Sequence, residues 1–160
     1  MIISIHQPNF MPWNPFFEKI QQSDMFVCLT QCQFEKNGYQ NRFNFNDKWY
    51  TMSVKKGLNP ILDKVYINPK NNWNRIKNNL SEYKSILKEL DKCIGESLVA
   101  TNFCIISNLC DMLDIDTQLK IDYPTELKST ERLVFGETLV RRNWRLVRLD
   151  TNNLSLDHIN

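Results

Sequence analysis

The sequence lacks the cysteine and histidine spacings that hold zinc. It has five cysteines but no Cys-x-x-Cys pair, and its two histidines are His6 and His158. A zinc site needs closely spaced thiolate and imidazole ligands, so we expect no metal site. We expect the cysteines to be reduced thiols that pack as small apolar side chains. Cys32 is the cysteine that falls in a predicted site loop.

The sequence also lacks a membrane-spanning run and an export signal. No apolar stretch reaches the roughly 20 residues that cross a bilayer, and residues 1–6 carry neither a basic region nor a cleavage-site pattern. The net charge of +2 gives no strong attraction to nucleic acid or anionic membranes. The 160 residues are 42% hydrophobic and 24% charged, as in one globular domain. We therefore expect a cytoplasmic protein.

The N-terminal segment predicts a βαβ unit. Apolar strands are predicted at residues 2–5 and 25–29, with a helix at residues 14–22 between them. Continuously apolar strands are typical of parallel sheets, and the crossover between them is right-handed. The loops at residues 6–13 and 30–42 follow these strands, so they should open on the same sheet edge. Ligands bind at such edges in α/β proteins.

Helices and shorter strands are predicted further along the chain. Strands are expected at residues 49–54 and 65–67 and at Gln118–Ile121. Apolar residues spaced by three and four predict amphipathic helices over residues 73–90 and 99–113. We therefore predict an α/β fold, with an N-terminal βαβ unit of parallel strands and a helical hairpin.

The first loop carries side chains suited to chemistry. His6 titrates near neutral pH and is the candidate proton acceptor. Gln7 and Asn9 offer amide groups for sugar hydroxyls or base edges, and Trp13 offers a stacking face. Three prolines stiffen this region and lower the cost of ordering it around a ligand. The alternative is that His6 and Asn9 only satisfy buried backbone groups in a tight loop.

The second loop offers Gln33, Asn41 and Arg42 as binding residues. Arg42 can hold a carboxylate or phosphate through paired hydrogen bonds. Glu35 is either a general base or a solvated carboxylate. Aromatic and basic residues interleave over residues 43–56, as on single-stranded nucleic-acid platforms. No recognition signature accompanies them, so we expect no nucleic-acid partner.

The order of these motifs resembles the WbqC-like family over residues 1–56. The motifs are IHQPNFMPW at 5–13, FEKI at 17–20, SD at 23–24, QF at 33–34 and QNR at 40–42. The sequence STERLV at 129–134 resembles the start of a later helix in that family. Many members carry paired acids where this chain has Thr30 and Gln31. Any metal ligand or base that those acids supply is therefore missing at these two positions.

The resemblance implies a role in bacterial O-antigen, lipopolysaccharide or capsule biosynthesis. It implies an amino-acyl or acyl transferase or ligase, of the glycine type, that acts on an amino sugar. The partners implied are a nucleotide- or lipid-linked sugar and an acyl donor. The cofactor, and whether ATP is used, are left open by the resemblance. The matching residues, whose roles the resemblance extends to this chain, are His6, Gln7, Asn9, Gln33, Asn41 and Arg42.

Two alternatives stand beside this interpretation. One is a non-catalytic sugar-nucleotide-binding protein, and the other is an inactive, truncated gene product. A weaker resemblance to the pantothenate synthetase family implies ATP-dependent acyl activation. That family also places a histidine loop after its first strand and a Gln-Phe pair after its second. Its second loop histidine is absent here, where Asn9 stands at most in its place.

The composition changes near residue 134. Thirteen lysines precede Ser129, whereas from Arg132 onward there are five arginines and no lysine. Residues 136–160 also show no clear periodicity, and the family resemblance stops near Val134. A basic tail is one explanation; a change of reading frame, which resets codon-driven composition, is the one we favour. We predict a domain at residues 1–134 and an atypical tail at residues 135–160, hence a truncated family member.

Overall fold

A computed structural model describes residues 2–122 and the backbone of residues 146–148. The helices and strands, in chain order, are β1 Ile2–His6, α1 Asn14–Gln21, β2 Met25–Cys28, β3 Arg42–Phe45, β4 Lys48–Thr51, α2 Pro69–Asn79, α3 Lys84–Glu89, α4 Leu98–Met112, β5 Gln118–Ile121 and β6 Leu146–Arg148. Within this part of the chain, no helix is both long enough and apolar enough to cross a membrane.

A four-stranded sheet has the strand order β5-β2-β1-β6. β1, β2 and β5 are parallel: Ile5 is paired with Val27, and Val27 with Lys120. β6 is antiparallel to β1 on its other side. Because α1 lies between the parallel strands β1 and β2 in the chain, the predicted βαβ unit is confirmed.

The amphipathic helix α1 packs on this sheet through its aromatic side chains. Phe16 and Ile20 are fully buried, in one cluster with Phe26 of β2 and Ile106 of α4. The rings of Phe16 and Phe26 meet edge to face, with 5.3 Å between their centroids. Burying each such side chain contributes about 1.5–3 kcal/mol. This packing fixes the position of the loop between β1 and α1.

The predicted continuous helix over residues 73–90 is wrong. α2 ends at Asn79, a 3-10 turn follows, and α3 begins at Lys84. The apolar face survives the break, since Trp73, Ile76 and Leu90 all belong to one buried cluster. Spacings of three and four report which side chains share a buried face, and they do not require an unbroken backbone. α4 packs into the same cluster.

β3 and β4 form a hairpin that the sequence indicated only in part. Arg42, which the sequence places in a loop, begins β3, and the predicted strand at 49–54 is β4, Lys48–Thr51. Asn46 and Asp47 connect the strands with φ of 49° and 58°. Two residues with positive φ are typical of the tight I′ hairpin turn, but this chain lacks the usual glycine there. The predicted strand at 65–67 is reduced to isolated bridges.

Two of the cysteines are paired, so the expectation of five reduced thiols is wrong. Cys93 and Cys104 form a disulfide with 5.3 Å between their Cα atoms. They come together because the 3-10 turn that ends at Cys93 packs against α4. Cys28, Cys32 and Cys110 are free, and Cys28 and Cys110 are buried.

β6 lies within the predicted atypical tail. A strand of three residues is too short to produce a periodic sequence pattern, which explains why none was found. The rest of residues 135–160 and the motif at 129–134 lie outside the described residues. A domain boundary at residue 134 stays a prediction.

Candidate functional site at the carboxyl edge of the sheet

Three parallel strands end together at one edge of the sheet. His6, the last residue of β1, is paired with Cys28 of β2, and Cys28 is paired with Ile121 of β5. The segments that follow these residues therefore leave the sheet side by side, as predicted for the first two loops. In open α/β sheets this edge is where ligands bind.

The imidazole of His6 is held in one tautomer. Its Nδ1 lies 2.8 Å from the carbonyl oxygen of Gln7. Because a carbonyl only accepts, Nδ1 carries the proton and Nε2 carries the lone pair. Burial lowers the pKa of His6 to about 4, a shift that the hydrogen bond to Gln7 opposes and the charge of Lys19 reinforces. His6 is therefore neutral at pH 7, with limited strength as a base.

Lys19 lies in the same region, and sequence reasoning did not select it as a site residue. Its Nζ donates a hydrogen bond to the carbonyl oxygen of Ile5 at 2.6 Å. The side chain is buried, and burial lowers the pKa of Lys19 to about 8. The available signal was a lysine on the apolar face of α1, between Phe16 and Ile20.

Hydrogen bonds join the first loop to the end of the second. The side-chain amide of Gln40 donates to Oε1 of Gln7. The backbone N–H of Phe10 donates to the carbonyl oxygen of Tyr39 at 2.9 Å. The two predicted site loops are therefore one structural unit. A pocket that His6 and Arg42 line together stays a prediction.

Asn102 of α4 connects the two loops by hydrogen bonds, and sequence reasoning did not select it. Its Nδ2 donates to the carbonyl oxygens of Pro8 and Gln40, at 2.8 and 2.7 Å. Its Oδ1 accepts a hydrogen bond of 2.7 Å from the hydroxyl of Tyr66. Asn102 is fully buried. An asparagine among the apolar residues of a helix was the signal, because a buried amide needs partners.

Two of the predicted binding residues hydrogen-bond to backbone carbonyls. Asn41 exchanges two hydrogen bonds of 2.8 Å with Met52, one from its side chain and one to its own carbonyl. Gln33 donates from Nε2 to the carbonyl of Asn59 at 3.1 Å. These contacts fit residues that shape the loop.

Asn9 and Trp13 differ sharply in exposure. Asn9 has 5% of its surface exposed, whereas Trp13 has 60%. Trp13 occupies the position before the first residue of α1 and makes no side-chain cap there. Trp13 therefore presents a surface to solvent, and Asn9 contributes to the interior of the loop.

Arg42 stands at the start of β3 with part of its hydrogen-bonding capacity unused. Its guanidinium carbon lies 4.0 Å from the ring centroid of Trp49, and it donates to the carbonyl of Asn37. Its Nε is buried without a hydrogen-bond partner among the described residues. A buried unsatisfied donor costs about 1–3 kcal/mol. Nε itself is out of reach of a ligand, but the guanidinium is positively charged, and its Nη groups are suited to an anionic ligand.

Asp122 supplies a carboxylate at the sheet edge that sequence reasoning also missed. Its Oδ1 accepts hydrogen bonds from the backbone N–H and the hydroxyl of Thr30. Burial raises the pKa of the Asp122 carboxyl, and the hydrogen bonds from Thr30 oppose the shift. The signal was an acid immediately after the predicted strand β5. Among residues 2–122, no group of three or more His, Cys, Asp or Glu side chains is placed to hold a metal ion.

A comparison of the chain with models of known protein families identifies its family. The model of the WbqC-like protein family matches residues 7–143, which is most of the chain. The match includes the second site loop and the first from Gln7 onward, and His6 lies just before it. The chain belongs to the WbqC-like protein family. The resemblance found in the sequence is confirmed, and membership suggests a role in polysaccharide-related biosynthesis. No curated protein and no solved structure gave a significant match.

This WbqC-like protein also has a cavity of about 380 Å³ that contains none of the predicted site residues. The lining residues are mostly polar: Ser53, Ile67, Asn68, Asn71, Asn72 and Arg75. Asn72 is committed to local bonds, since its amide donates to the carbonyls of Ile67 and Asn68 at 2.7 and 3.1 Å.

Proposed function

We propose that this WbqC-like protein is an amino-acyl or acyl transferase or ligase that forms an amide on an amino sugar. The pathway would be O-antigen or capsule biosynthesis, with the reaction in the cytoplasm. Family membership supports the polysaccharide context. One observation carries the chemical part: the neutral His6, with its lone pair on Nε2, ends β1 in a loop that is bonded to the loop of Arg42.

In the proposed reaction, the amine of the sugar attacks the carbonyl carbon of the acyl donor. Nε2 of His6 accepts the proton that the amine loses, and the donor's leaving group departs with the electron pair of the broken bond. The guanidinium of Arg42 holds a carboxylate or phosphate of a substrate. The protein thereby gains rate chiefly by fixing two reactants in one geometry.

The remaining predicted residues bind or position the substrates. Gln7 and Trp13 would contact the sugar, with Gln7 oriented by Gln40. Asn9, Gln33 and Asn41 would act through the shape of the loops. The partners are a nucleotide- or lipid-linked amino sugar and an acyl donor such as activated glycine.

The test is a search for the amide product by mass spectrometry. The purified chain is incubated with a panel of nucleotide-linked amino sugars and, as acyl donor, either a glycyl thioester or glycine with ATP. The His6→Asn variant keeps a donor for the Gln7 carbonyl but has no proton-accepting nitrogen, so product formation should fall about 10²–10⁴-fold. Asn78→Ala, at an exposed position of α2, is the matched control and should leave the rate unchanged. Full activity in His6→Asn would contradict the assigned base.

A non-catalytic sugar-nucleotide-binding protein is the second candidate. The pKa of His6, lowered to about 4, favours it because so weak a base accelerates proton transfer little. Binding of a nucleotide-linked sugar without any product, for every acyl donor supplied, would support this candidate over the transferase.

A further inference from the structure

Two aromatic rings stand on the surface beside the candidate site. Tyr39 is 53% exposed and Trp49 is 43% exposed. Their ring centroids are 5.7 Å apart, with an angle of 45° between the ring planes. Tyr39 lies in the second loop and Trp49 lies in β4, so separate segments build this aromatic pair. Two exposed rings in contact offer a flat ligand a surface on which it can stack.

A cation with unused donors borders the aromatic pair. The guanidinium of Arg42 lies over the ring of Trp49, and only one donated hydrogen bond, to Asn37, is formed by its side chain in the described residues. Lys77–Asp91 is the one ion pair within that part of the chain, so no described carboxylate neutralises Arg42. A guanidinium carries five N–H donors. The donor on Nε is buried, so an anionic group would accept hydrogen bonds from the Nη groups.

The aromatic pair is also continuous with the loop of His6. The carbonyl of Tyr39 accepts the backbone N–H of Phe10, and the next residue, Gln40, is bonded to Gln7. A ligand that lies on Tyr39 and Trp49 is therefore on the segment that is bonded directly to the first loop. Sequence reasoning placed neither aromatic residue in the site.

We propose that Tyr39, Trp49 and Arg42 bind the nucleoside diphosphate part of a nucleotide-linked sugar. The base stacks on the side of the aromatic pair that Arg42 does not cover, and the diphosphate oxygens accept hydrogen bonds from the Nη groups of Arg42. A flat ring joined to an anionic group matches an aromatic face beside a cation in both shape and charge. This inference deepens and rests on the proposed function, because it selects a nucleotide-linked sugar over a lipid-linked one.

Calorimetry on the full chain tests the proposal. The probes are uridine, cytidine, guanosine and thymidine diphosphates, with inorganic pyrophosphate and a short oligonucleotide as comparisons. At least one diphosphate should bind more tightly than both comparisons. Trp49→Leu and Tyr39→Ala should each weaken that binding about tenfold, the usual effect of removing one stacking ring. Leu58→Ala, at a 93% exposed apolar position, is the control and should bind like the unmodified chain.

Several results would overturn the proposal. They are no binding by any diphosphate, equal binding by pyrophosphate, tighter binding by the oligonucleotide, or unchanged affinity in both aromatic variants. Circular dichroism of each variant separates a lost ring from a lost fold. The outcome is also separable from that of the proposed function. Nucleotide binding without amide formation would support the nucleotide site at Tyr39, Trp49 and Arg42 and contradict the transferase proposal. Amide formation without nucleotide binding would contradict only the nucleotide site.

Discussion

The carboxylate of Asp122 accepts hydrogen bonds from the backbone N–H and the hydroxyl of Thr30, at 2.5 and 2.7 Å. Both bonds reach the same oxygen, Oδ1. They tie the end of β5 to the loop that follows β2, directly at the carboxyl edge of the sheet. The contact therefore places a buried carboxylate, from the residue that follows β5, beside the start of the second loop.

The first prediction concerns substitutions at Asp122. Asp122→Ala leaves two buried donors of Thr30 without an acceptor, so the free energy of unfolding should fall by about 1–3 kcal/mol for each unsatisfied group. Asp122→Asn keeps Oδ1 as the acceptor and should be far less destabilised. Urea unfolding at pH 7 measures both. Equal losses in the two variants would show that the Thr30 contact is not what Asp122 contributes.

The pH dependence of the same pair has a definite sign. Burial raises the pKa of Asp122 in the folded protein above its unfolded value. Its protonation therefore stabilises the fold fully below the unfolded pKa, and that contribution is lost as the pH rises through the folded pKa. Relative to Asp122→Asn, the unmodified chain should become less stable as the pH rises from 3 to 7. A difference that is flat or of opposite sign would contradict the raised pKa.

The second prediction concerns the titration of His6. Its folded pKa of about 4 lies below the usual histidine value of 6.5. Neutral His6 therefore contributes stability above pH 6.5, and this contribution is lost as the pH falls through about 4. Imidazole resonances followed by NMR should show one histidine that titrates near pH 4, absent in His6→Asn. A His6 resonance that titrates near pH 6.5 would contradict a pKa lowered by burial.

The third prediction concerns the hydrogen bonds by which Asn102 connects the two loops. Asn102→Ala removes the donor shared by the carbonyls of Pro8 and Gln40, and the acceptor of the Tyr66 hydroxyl. The free energy of unfolding should fall by more than about 2 kcal/mol, because several buried groups lose partners. Asn78→Ala, an exposed position, should stay within about 0.5 kcal/mol. Similar denaturation midpoints for both variants would contradict a supporting role for Asn102.

The fourth prediction concerns cysteine pairing. Alkylation of the unfolded, unreduced chain should modify three of the five cysteines and leave Cys93 and Cys104 protected. Prior reduction should expose all five and lower the free energy of unfolding by about 3 kcal/mol, the chain-entropy estimate for a short loop. Mass spectrometry counts the labels. Five labels without reduction would show that these two cysteines are thiols.

The sequence predicted the parts of the fold that depend on local patterns. Apolar runs placed β1 and β2, and their neighbouring ends placed His6 and Thr30 on one sheet edge. The break between α2 and α3 was invisible because the apolar face continues across it. The turn at Asn46 and Asp47 was missed because it has no glycine.

The site residues that sequence reasoning missed depend on distant contacts. Asp122 meets Thr30 across 92 residues, and Asn102 meets Pro8 across 94. Such pairs leave no local pattern, and only an unexpected polar residue hints at them. A local sequence pattern also does not show whether a polar side chain already has a hydrogen-bond partner within the protein. The sequence favours Asn41 for its amide, and in the structure that amide donates to the carbonyl oxygen of Met52.

The most direct test of a ligand site at the carboxyl edge is an NMR titration with a nucleotide-linked amino sugar. Backbone amide resonances are assigned and followed as ligand is added to the full chain. The largest shifts should fall on Gln7, Thr30, Gln40 and Arg42, with smaller shifts at Asn71 and Arg75 in the separate cavity. Shifts confined to that cavity, or no shifts at millimolar ligand, would contradict a substrate site at the sheet edge.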